Sequence, residues 1–462
     1  MIKKSIIFAA AFSFLWSTVL CATEANTVSA TINVGVTPAG IAVTPNNLFA
    51  YVANNNNYSI PGANTVSVLN LTNNTVETTI FDISFNEPYT VTINASGTKA
   101  YVTNSNSTTV TIIDIATNTV IGTIGGFDGP SGLVISHDGN FAYVNNYGGP
   151  GGVGSGNGTT VRVVNLLSNT IVGPPITVGL APASLAITPD GAFVYVINYV
   201  DGNPGTGTIS VIQTSNNTVV DTIGGFSGPF AIAITPNGRY AYVTNFGSNN
   251  FSPVGNTVSV VDLQSNTVIA TITVGTQPSG IAITPDGSLA YVSIYNTLYV
   301  GPDFNGLTAG PGTVKIIDTQ TNQVIPPTIA VGLSPDAIAI SPNGAFAYVT
   351  NYTSNTVSVI PLQTFRIVAQ GCKTKTKFAT QIDLINELTW TVSGVSLPVI
   401  YSIYRDNALT DLAGTVRASQ PLAFLDHNRH PNVIYTYYIV GTNASGITSN
   451  PVEITVSQKC TH

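Results

Sequence analysis

The sequence predicts an all-β protein: a ring of seven four-stranded blades followed by a small C-terminal β-sandwich. Three observations predict it. A turn-plus-strand unit recurs seven times, nearly all length variation between copies sits in one loop, and the repeat stops before the C-terminus, where another strand pattern takes over. No segment carries convincing helical periodicity.

The unit is clearest from Gly280 to Asn296, G-I-A-I-T-P-D-G-S-L-A-Y-V-S-I-Y-N. Its turn reads TPNN from Thr44, INASG from Ile93, ISHDG from Ile135, ITPDG from Ile187 and Ile283, ITPNG from Ile234 and ISPNG from Ile340. The following strand reads YVAN from Tyr51, YVTN from Tyr101, Tyr242 and Tyr348, YVNN from Tyr143, YVIN from Tyr195 and YVSI from Tyr291. The run I-A-I-T is apolar at consecutive positions, as in a strand buried on both faces. Pro then presets φ, Asp or Asn caps locally, and Gly accepts a left-handed conformation. A third strand comes as N-T-V-S-V-V-D from Asn256, and a fourth as N-T-V-I-A-T-I from Asn266. Four short strands repeating at this length read as the blades of a β-propeller.

Successive motif tyrosines lie between 42 and 57 residues apart. From the fourth motif position to the third strand the separation runs from 6 residues, Asn104 to Val110, to 20, Ile294 to Val314. Without that loop every unit measures 36 to 38 residues. A fixed frame with one variable face is how a binding scaffold behaves.

On these residues the chain resembles the YVTN-repeat β-propeller family, over roughly Asn26 to Ala369; the sixth copy departs, with Ser293-Ile294 in place of Thr-Asn. The resemblance implies a seven-bladed propeller of the kind carried by exported bacterial proteins and archaeal surface-layer proteins. Related propellers include some enzymes, so it leaves activity open.

Residues 1–22 read as a signal peptide: Lys3 and Lys4, then a mostly apolar run from Ile6 to Leu20, then Cys21-Ala22. The run is too short for a membrane span, and no transmembrane segment is expected elsewhere. The expected location is export, to the periplasm, cell surface or medium. Leu20 is not the small residue that precedes a lipid-anchored cysteine.

Residues 23–363 are the expected propeller. Its first stretch, N-T-V-S-A-T-I-N-V-G from Asn26, matches a fourth strand and has no preceding strands of its own. It can complete blade seven and so remove two sheet edges. Thr364 to Ala369, with F-R-I-V, is the competing strand; the N-terminal one is favoured. Residues 364–378 read as a linker, in which Lys373, Lys375 and Lys377 form a solvated cluster.

Residues 379–462 follow another order: a strand from Ile382 to Trp390, then Tyr401 to Arg405, then Tyr435 to Val440 leading to N-A-S-G. This order resembles a fibronectin type III domain and implies a β-sandwich. Cys372 and Cys460 bracket it. In an exported chain such a pair reads as a disulfide rather than a metal site.

Charge and composition narrow the function. The net charge is −7, and only 8% of residues are charged. Between Asn26 and Gln363 the basic residues are Lys99, Arg162, Arg239 and Lys315, so the basic stripe of a nucleic-acid binder is missing. No haem or nucleophile-elbow motif occurs, and no cofactor or metal is expected. His137 and the acids Asp138, Asp190 and Asp286 sit at turn positions, where turn chemistry explains them.

One constellation points to binding. The residue after the motif is Tyr147, Tyr199, Phe246, Tyr295 or Tyr352 in five copies, and Asn55 or Ser105 in the others. With the motif amides Asn54, Asn104, Asn146, Asn198, Asn245 and Asn351, and with Tyr299 in the longest loop, these are the candidate ligand-binding groups. Flat rings stack and amides hydrogen-bond, which suits a sugar or peptide. The expected function is an exported, non-enzymatic binding or surface protein holding a protein or glycan partner on its variable-loop face. The alternative is a propeller enzyme of lactonase or lyase type, which needs Arg, His and Glu converging on the central channel.

Overall fold

The computed structural model describes residues 26–56, 62–148, 157–199, 205–247, 254–299, 307–362, 365–377, 382–394, 398–406, 409–427, 429, 433–443 and 452–456. The signal-peptide reading, Cys460 and the tips of the long loops lie outside these residues. So do the side chains of Cys372 and Tyr299, of which only the backbone is described.

Between Ala30 and Pro361 the chain forms seven four-stranded antiparallel sheets, and no helix occurs among the described residues. Sheet one is Pro38–Val43, Phe49–Asn54, Thr65–Asn70 and Thr75–Phe81, paired in that order. Sheets two to five repeat the pattern, and sheet six inserts a small hairpin, Thr297–Tyr299 with Leu307–Ala309, between its second and third strands. The first strand of each sheet packs on the first strand of the next, and Pro335–Ile340 of sheet seven packs on Pro38–Val43 of sheet one. The contacts therefore close into a ring.

Seven buried clusters fill the spaces between neighbouring sheets. One joins Tyr51, Val66 and Val68 of sheet one to Val91, Ala100 and Val102 of sheet two. The cluster that closes the ring joins Ile32, Tyr348 and Val357 to Ile41, Val52 and Leu69. Fourth strands are mostly exposed, as the pattern at Thr75–Phe81 shows.

Sheet seven is completed by the N-terminal strand. Ala30–Asn33 pairs antiparallel with Thr356–Pro361, Ala30 opposite Val359 and Asn33 opposite Thr356. The competing stretch goes elsewhere. Phe365–Lys377, inside the segment read as a linker, is a strand paired along its length with Ile382–Gly394. Its alternation of Thr and Lys suits an extended strand as well as a solvated tether.

Each motif letter has a physical task. The first-position Tyr is buried and reaches the next sheet. Tyr143 Oη donates to Asn217 Oδ1 at 2.7 Å, Tyr195 to Asn266 at 2.8 Å and Tyr242 to Asn322 at 2.6 Å; Tyr51 bonds Asn118 likewise. These asparagines hold the left-handed position of the turn between third and fourth strands, which Asn tolerates best after Gly. In the ring-closing copy the partner is Asn26: Tyr291 Oη donates to its Oδ1 at 2.8 Å.

The third-position hydroxyl mends a bulge. In every sheet the first two strands slip register just after the proline, as between Pro229 and Ile232. Thr244 Oγ1 accepts the freed Ala231 N–H at 2.9 Å and donates to the Ser279 carbonyl of sheet six at 2.8 Å. Ser293 repeats this between sheets six and seven, and Thr350 between seven and one. The departure to Ser293 thus keeps the task, because a hydroxyl is all it needs.

C-terminal to residue 364 there are two antiparallel sheets: Phe365–Lys377, Ile382–Gly394 and Ala423–Asp426 in one, Leu412–Arg417, Pro398–Tyr404, Tyr435–Asn443 and Val452–Val456 in the other. Leu388, Trp390, Tyr401, Ile403 and Tyr437 share one core. Beside it Arg405 grips Asp426 through Nε and Nη2, both at 3.1 Å, and Tyr437 Oη donates to the same carboxylate at 2.7 Å. Burial raises the Asp426 pKa, but these donors outweigh it and hold the carboxyl below its usual value.

Candidate functional site

The residue before each first-strand proline is held at positive φ in all seven sheets: Thr37, Glu87, Gly129, Ala181, Gly228, Gln277 and Ser334, between 48° and 57°. Only two are glycine, so five side-chain-bearing residues occupy a disfavoured region. The seven carbonyls of these residues each accept a backbone N–H from the residue that follows the motif. Tyr147 N–H bonds Gly129 O at 3.0 Å, Tyr199 bonds Ala181 O at 2.9 Å, and Phe246 bonds Gly228 O at 2.9 Å. Tyr295 bonds Gln277 O at 3.0 Å and Tyr352 bonds Ser334 O at 2.9 Å; Asn55 and Ser105 make the same bond to Thr37 and Glu87. The fifth position is thereby fixed against the inter-sheet turn, on the face from which the long loops leave.

Three of these anchored residues, Ser105, Tyr147 and Tyr199, line the mouth of the central channel. A cavity of about 150 Å³ opens there, walled by residues from the first strand of every sheet. Tyr89, Phe230 and Asp336, each directly after the proline of its sheet, line it together with Tyr147 and Tyr199. A run of rings crosses one side: Tyr199 to Phe230 at 6.4 Å edge-on, Phe230 to Phe246 at 5.3 Å, Phe246 to Tyr295 at 5.8 Å edge-on. Tyr199 and Phe246 are buried, and Tyr199 Oη donates to Gly247 O at 3.0 Å. Tyr147, Tyr295 and Tyr352 are half-buried.

The motif asparagines take another role. Asn54, Asn104, Asn198 and Asn351 have no exposed surface, and Asn146 and Asn245 are nearly as buried. Each turns its amide into its own sheet. Asn198 Nδ2 donates to Thr208 Oγ1 and Ser210 Oγ, both at 3.0 Å; Asn245 bonds Thr257 and Ser259, Asn54 bonds Thr65 and Ser67, and Asn351 bonds Thr356 and Ser358. Asn104 reaches Thr109 and Thr111, and Asn146 reaches Thr160. The reason is visible at Gly179, where an added Cβ would lie 2.5 Å from the Asn198 amide carbon. The inter-sheet turn closes directly over the asparagine, leaving it no route to a ligand in this structure. The sequence places fourth and fifth positions side by side; the structure separates them into a clasp and a rim.

The sequence reading missed Tyr89, Phe230 and Asp336. A signal for them exists: the residue after the proline is Ala39, Tyr89, Ser131, Ala183, Phe230, Ser279 or Asp336, variable inside an otherwise fixed frame. Asp336 is 9% exposed, and burial pushes its carboxyl up to about 7. Burial, then the Asp336 charge, raise the Tyr89 phenol well above its usual value, with smaller contributions from Tyr147, Tyr352 and Tyr295. These five groups therefore share one electrostatic environment.

The opposite face carries the turns. Thr188 Oγ1 donates to Asp190 Oδ1 at 2.5 Å and Ala192 N–H donates to the same oxygen at 3.0 Å. The Thr188 hydrogen bond leads in lowering the Asp190 pKa. Asp138 and Asp286 are engaged in the same way, and His137 Nε2 lies 3.1 Å from the Thr188 carbonyl of the next sheet. No cluster of metal-binding side chains occurs among the described residues.

No family model matches the chain. The structure is similar to that of hydrazine synthase from Kuenenia stuttgartiensis, with a TM-score of 0.59 over 71% of this chain and 96% of that one. The fold is propeller-like. At 21% identity the likeness is one of fold alone. A stretch of 59 residues is 51% identical to the PE-PGRS family protein PE_PGRS18 of Mycobacterium tuberculosis, covering 13% of this chain and 13% of that protein. The chain thus spans about an eighth of that relative's length. Among the described residues no helix is long and apolar enough to cross a membrane.

Proposed function

We propose that this is an exported binding protein of the YVTN-repeat kind, whose ligand or partner docks at the channel mouth on the long-loop face. The observation that carries this reading is the anchored fifth position. Seven backbone bonds fix the position after the motif, and three of the residues so held, Ser105, Tyr147 and Tyr199, line one cavity. Rigid rings at a pre-formed concave site bind at low entropic cost. The loops of variable length spring from the same rim, so a partner too large for the cavity still meets it. The C-terminal sheets, read as a fibronectin type III-like sandwich, then serve as a spacer or second contact.

One observation favours a second reading, a propeller enzyme of lactonase or lyase type. A carboxyl that titrates near 7 in a cavity is suited to proton transfer. Such chemistry needs a second charged group on the substrate, and Asp336 is the one charged side chain among the described residues lining the cavity.

The test is a glycan and protein array probed with the chain from Thr23 onward. It is repeated with a variant whose Ile294–Gly312 loop is cut to the spacing of sheet two. The expected result is a hit whose signal drops in the variant while the melting temperature stays nearly unchanged. Unfolding of the variant, or undiminished binding after removal of all the long loops, would place the site elsewhere.

A further inference from the structure

We propose that the channel mouth binds a small organic ammonium cation, held by the Asp336 carboxylate and the faces of Tyr89, Tyr147 and Phe230. This rests on the channel mouth being the binding site and names what it takes. Asp336 is nine-tenths buried, yet its side chain has no hydrogen-bond or ion-pair partner among the described residues. Buried carboxylates are ordinarily paired, because an isolated one is costly. None of Lys99, Arg162, Arg239 and Lys315 lines the cavity. The complementary cation is therefore one the ring itself does not supply.

The walls narrow the chemistry. Aromatic rings present a negative face, and a cation near that face is attracted more strongly once water is excluded. Tyr89, Tyr147, Tyr199 and Phe230 line the same cavity as the acid, and the remaining wall is small residues such as Ala39, Gly40 and Gly280 with the hydroxyls of Thr90, Ser105, Ser131 and Ser184. A metal ion would ask for several oxygen ligands, and the cavity offers one carboxylate. A cation with apolar substituents uses both the charge and the rings. A cavity of about 150 Å³ takes one molecule of roughly benzene size.

Protonation gives the proposal a signature. The first strands flanking Asp336, Pro38–Val43 and Pro278–Ile283, carry no titratable side chain, and the second strands packed behind it carry Tyr348 and Tyr291. Tyr89 shares the cavity with it and feels its charge, and Tyr147, Tyr295 and Tyr352 act electrostatically on Tyr89 in turn. Burial raises the Tyr89, Tyr291 and Tyr348 phenols, so these three stay protonated between pH 5 and 8. The carboxyl of Asp336, at about 7 when the cavity is empty, must lose its proton to pair with the cation. Binding therefore releases a proton and strengthens as pH rises.

The experiment is calorimetric titration of the chain from Thr23 onward with choline and with its neutral carbon isostere, 3,3-dimethylbutan-1-ol, at pH 5.5 and pH 8. Choline is expected to bind at pH 8, roughly thirtyfold more weakly at pH 5.5, and not measurably to Asp336→Asn. Circular dichroism of that variant checks that it folds, and Tyr147→Ala, which keeps the acid, is expected to weaken choline binding as well. The inference is overturned if choline does not bind at millimolar concentration, if the isostere binds equally well, or if choline binding ignores both pH and Asp336→Asn. Should choline fail while an array hit is lost in Tyr147→Ala, the cation inference falls and the binding site at the channel mouth stands.

Discussion

Deleting residues 26–35 is expected to lower the melting temperature by roughly 7 °C and to promote aggregation. Three losses add up. The edge of Thr356–Pro361 loses its partner strand, leaving open a row of backbone groups. Ile32, 4% exposed, leaves the cluster that joins sheets seven and one. Asn26 no longer accepts from Tyr291 or donates its N–H to the Pro361 carbonyl at 2.7 Å, so the contact from sheet six goes too. One buried aliphatic side chain contributes about 2 kcal/mol and each lost hydrogen bond about 1 kcal/mol, so the total is on the order of 5 kcal/mol. Removing residues 365–462 is expected to matter far less to the ring, because Phe365–Lys377 pairs with Ile382–Gly394 and not with Thr356–Pro361. Thermal melts of the two truncations decide it. The reverse ranking would contradict ring closure by the N-terminal strand.

The second large effect is a pH dependence of stability carried by Asp336. Its folded-state pKa, about 7, lies above the ordinary carboxyl value. A carboxyl raised in this way favours the folded state while protonated, and that contribution is lost as pH rises through the folded pKa. Relative to Asp336→Asn, the parent protein should therefore lose about 2–3 kcal/mol between pH 5 and pH 8, or roughly 3–5 °C of melting temperature. Melts of both proteins across that range give the difference directly. Parallel profiles would show that the carboxyl is solvated or paired in the folded protein.

How much of this could be read from the sequence depends on what repeats. The strands, the turns and the role of the N-terminal stretch were legible because each is a position shared by seven copies. Asn26 could be matched to Asn266 letter by letter, and the structure gives both the same left-handed φ and the same tyrosine partner type. Side-chain direction was not legible at adjacent positions. Asn198 and Tyr199 look like one polar-aromatic pair, but the Asn198 amide is enclosed beneath Gly179 while Tyr199 lines the cavity. A register slip after the proline, invisible in the letters, decides which residues face the channel. Asp336 was not legible for the opposite reason: an acid occurs at that position in one copy of seven, so no shared pattern marks it. The hydroxyl at Ser293 shows the limit of letter matching, since it departs from Thr and performs the same two hydrogen bonds.

The proposed function divides the labour between neighbours: motif positions hold the ring, and the position after the motif meets the ligand. Neighbouring residues of sheet three test it most directly, through the melting temperature and array binding of Asn146→Ala and Tyr147→Ala. Asn146 donates to Thr160 at 2.8 Å and accepts the Asp128 N–H at 3.0 Å, so its loss should cost about 2 kcal/mol and lower the melting temperature by several degrees. Tyr147, half-buried at the cavity wall, keeps its backbone bond to Gly129 as alanine, so the melting temperature should move by no more than a degree or two while binding falls at least tenfold. If Tyr147→Ala unfolds the ring, or binds as well as the parent protein, the rim is packing and the division does not hold.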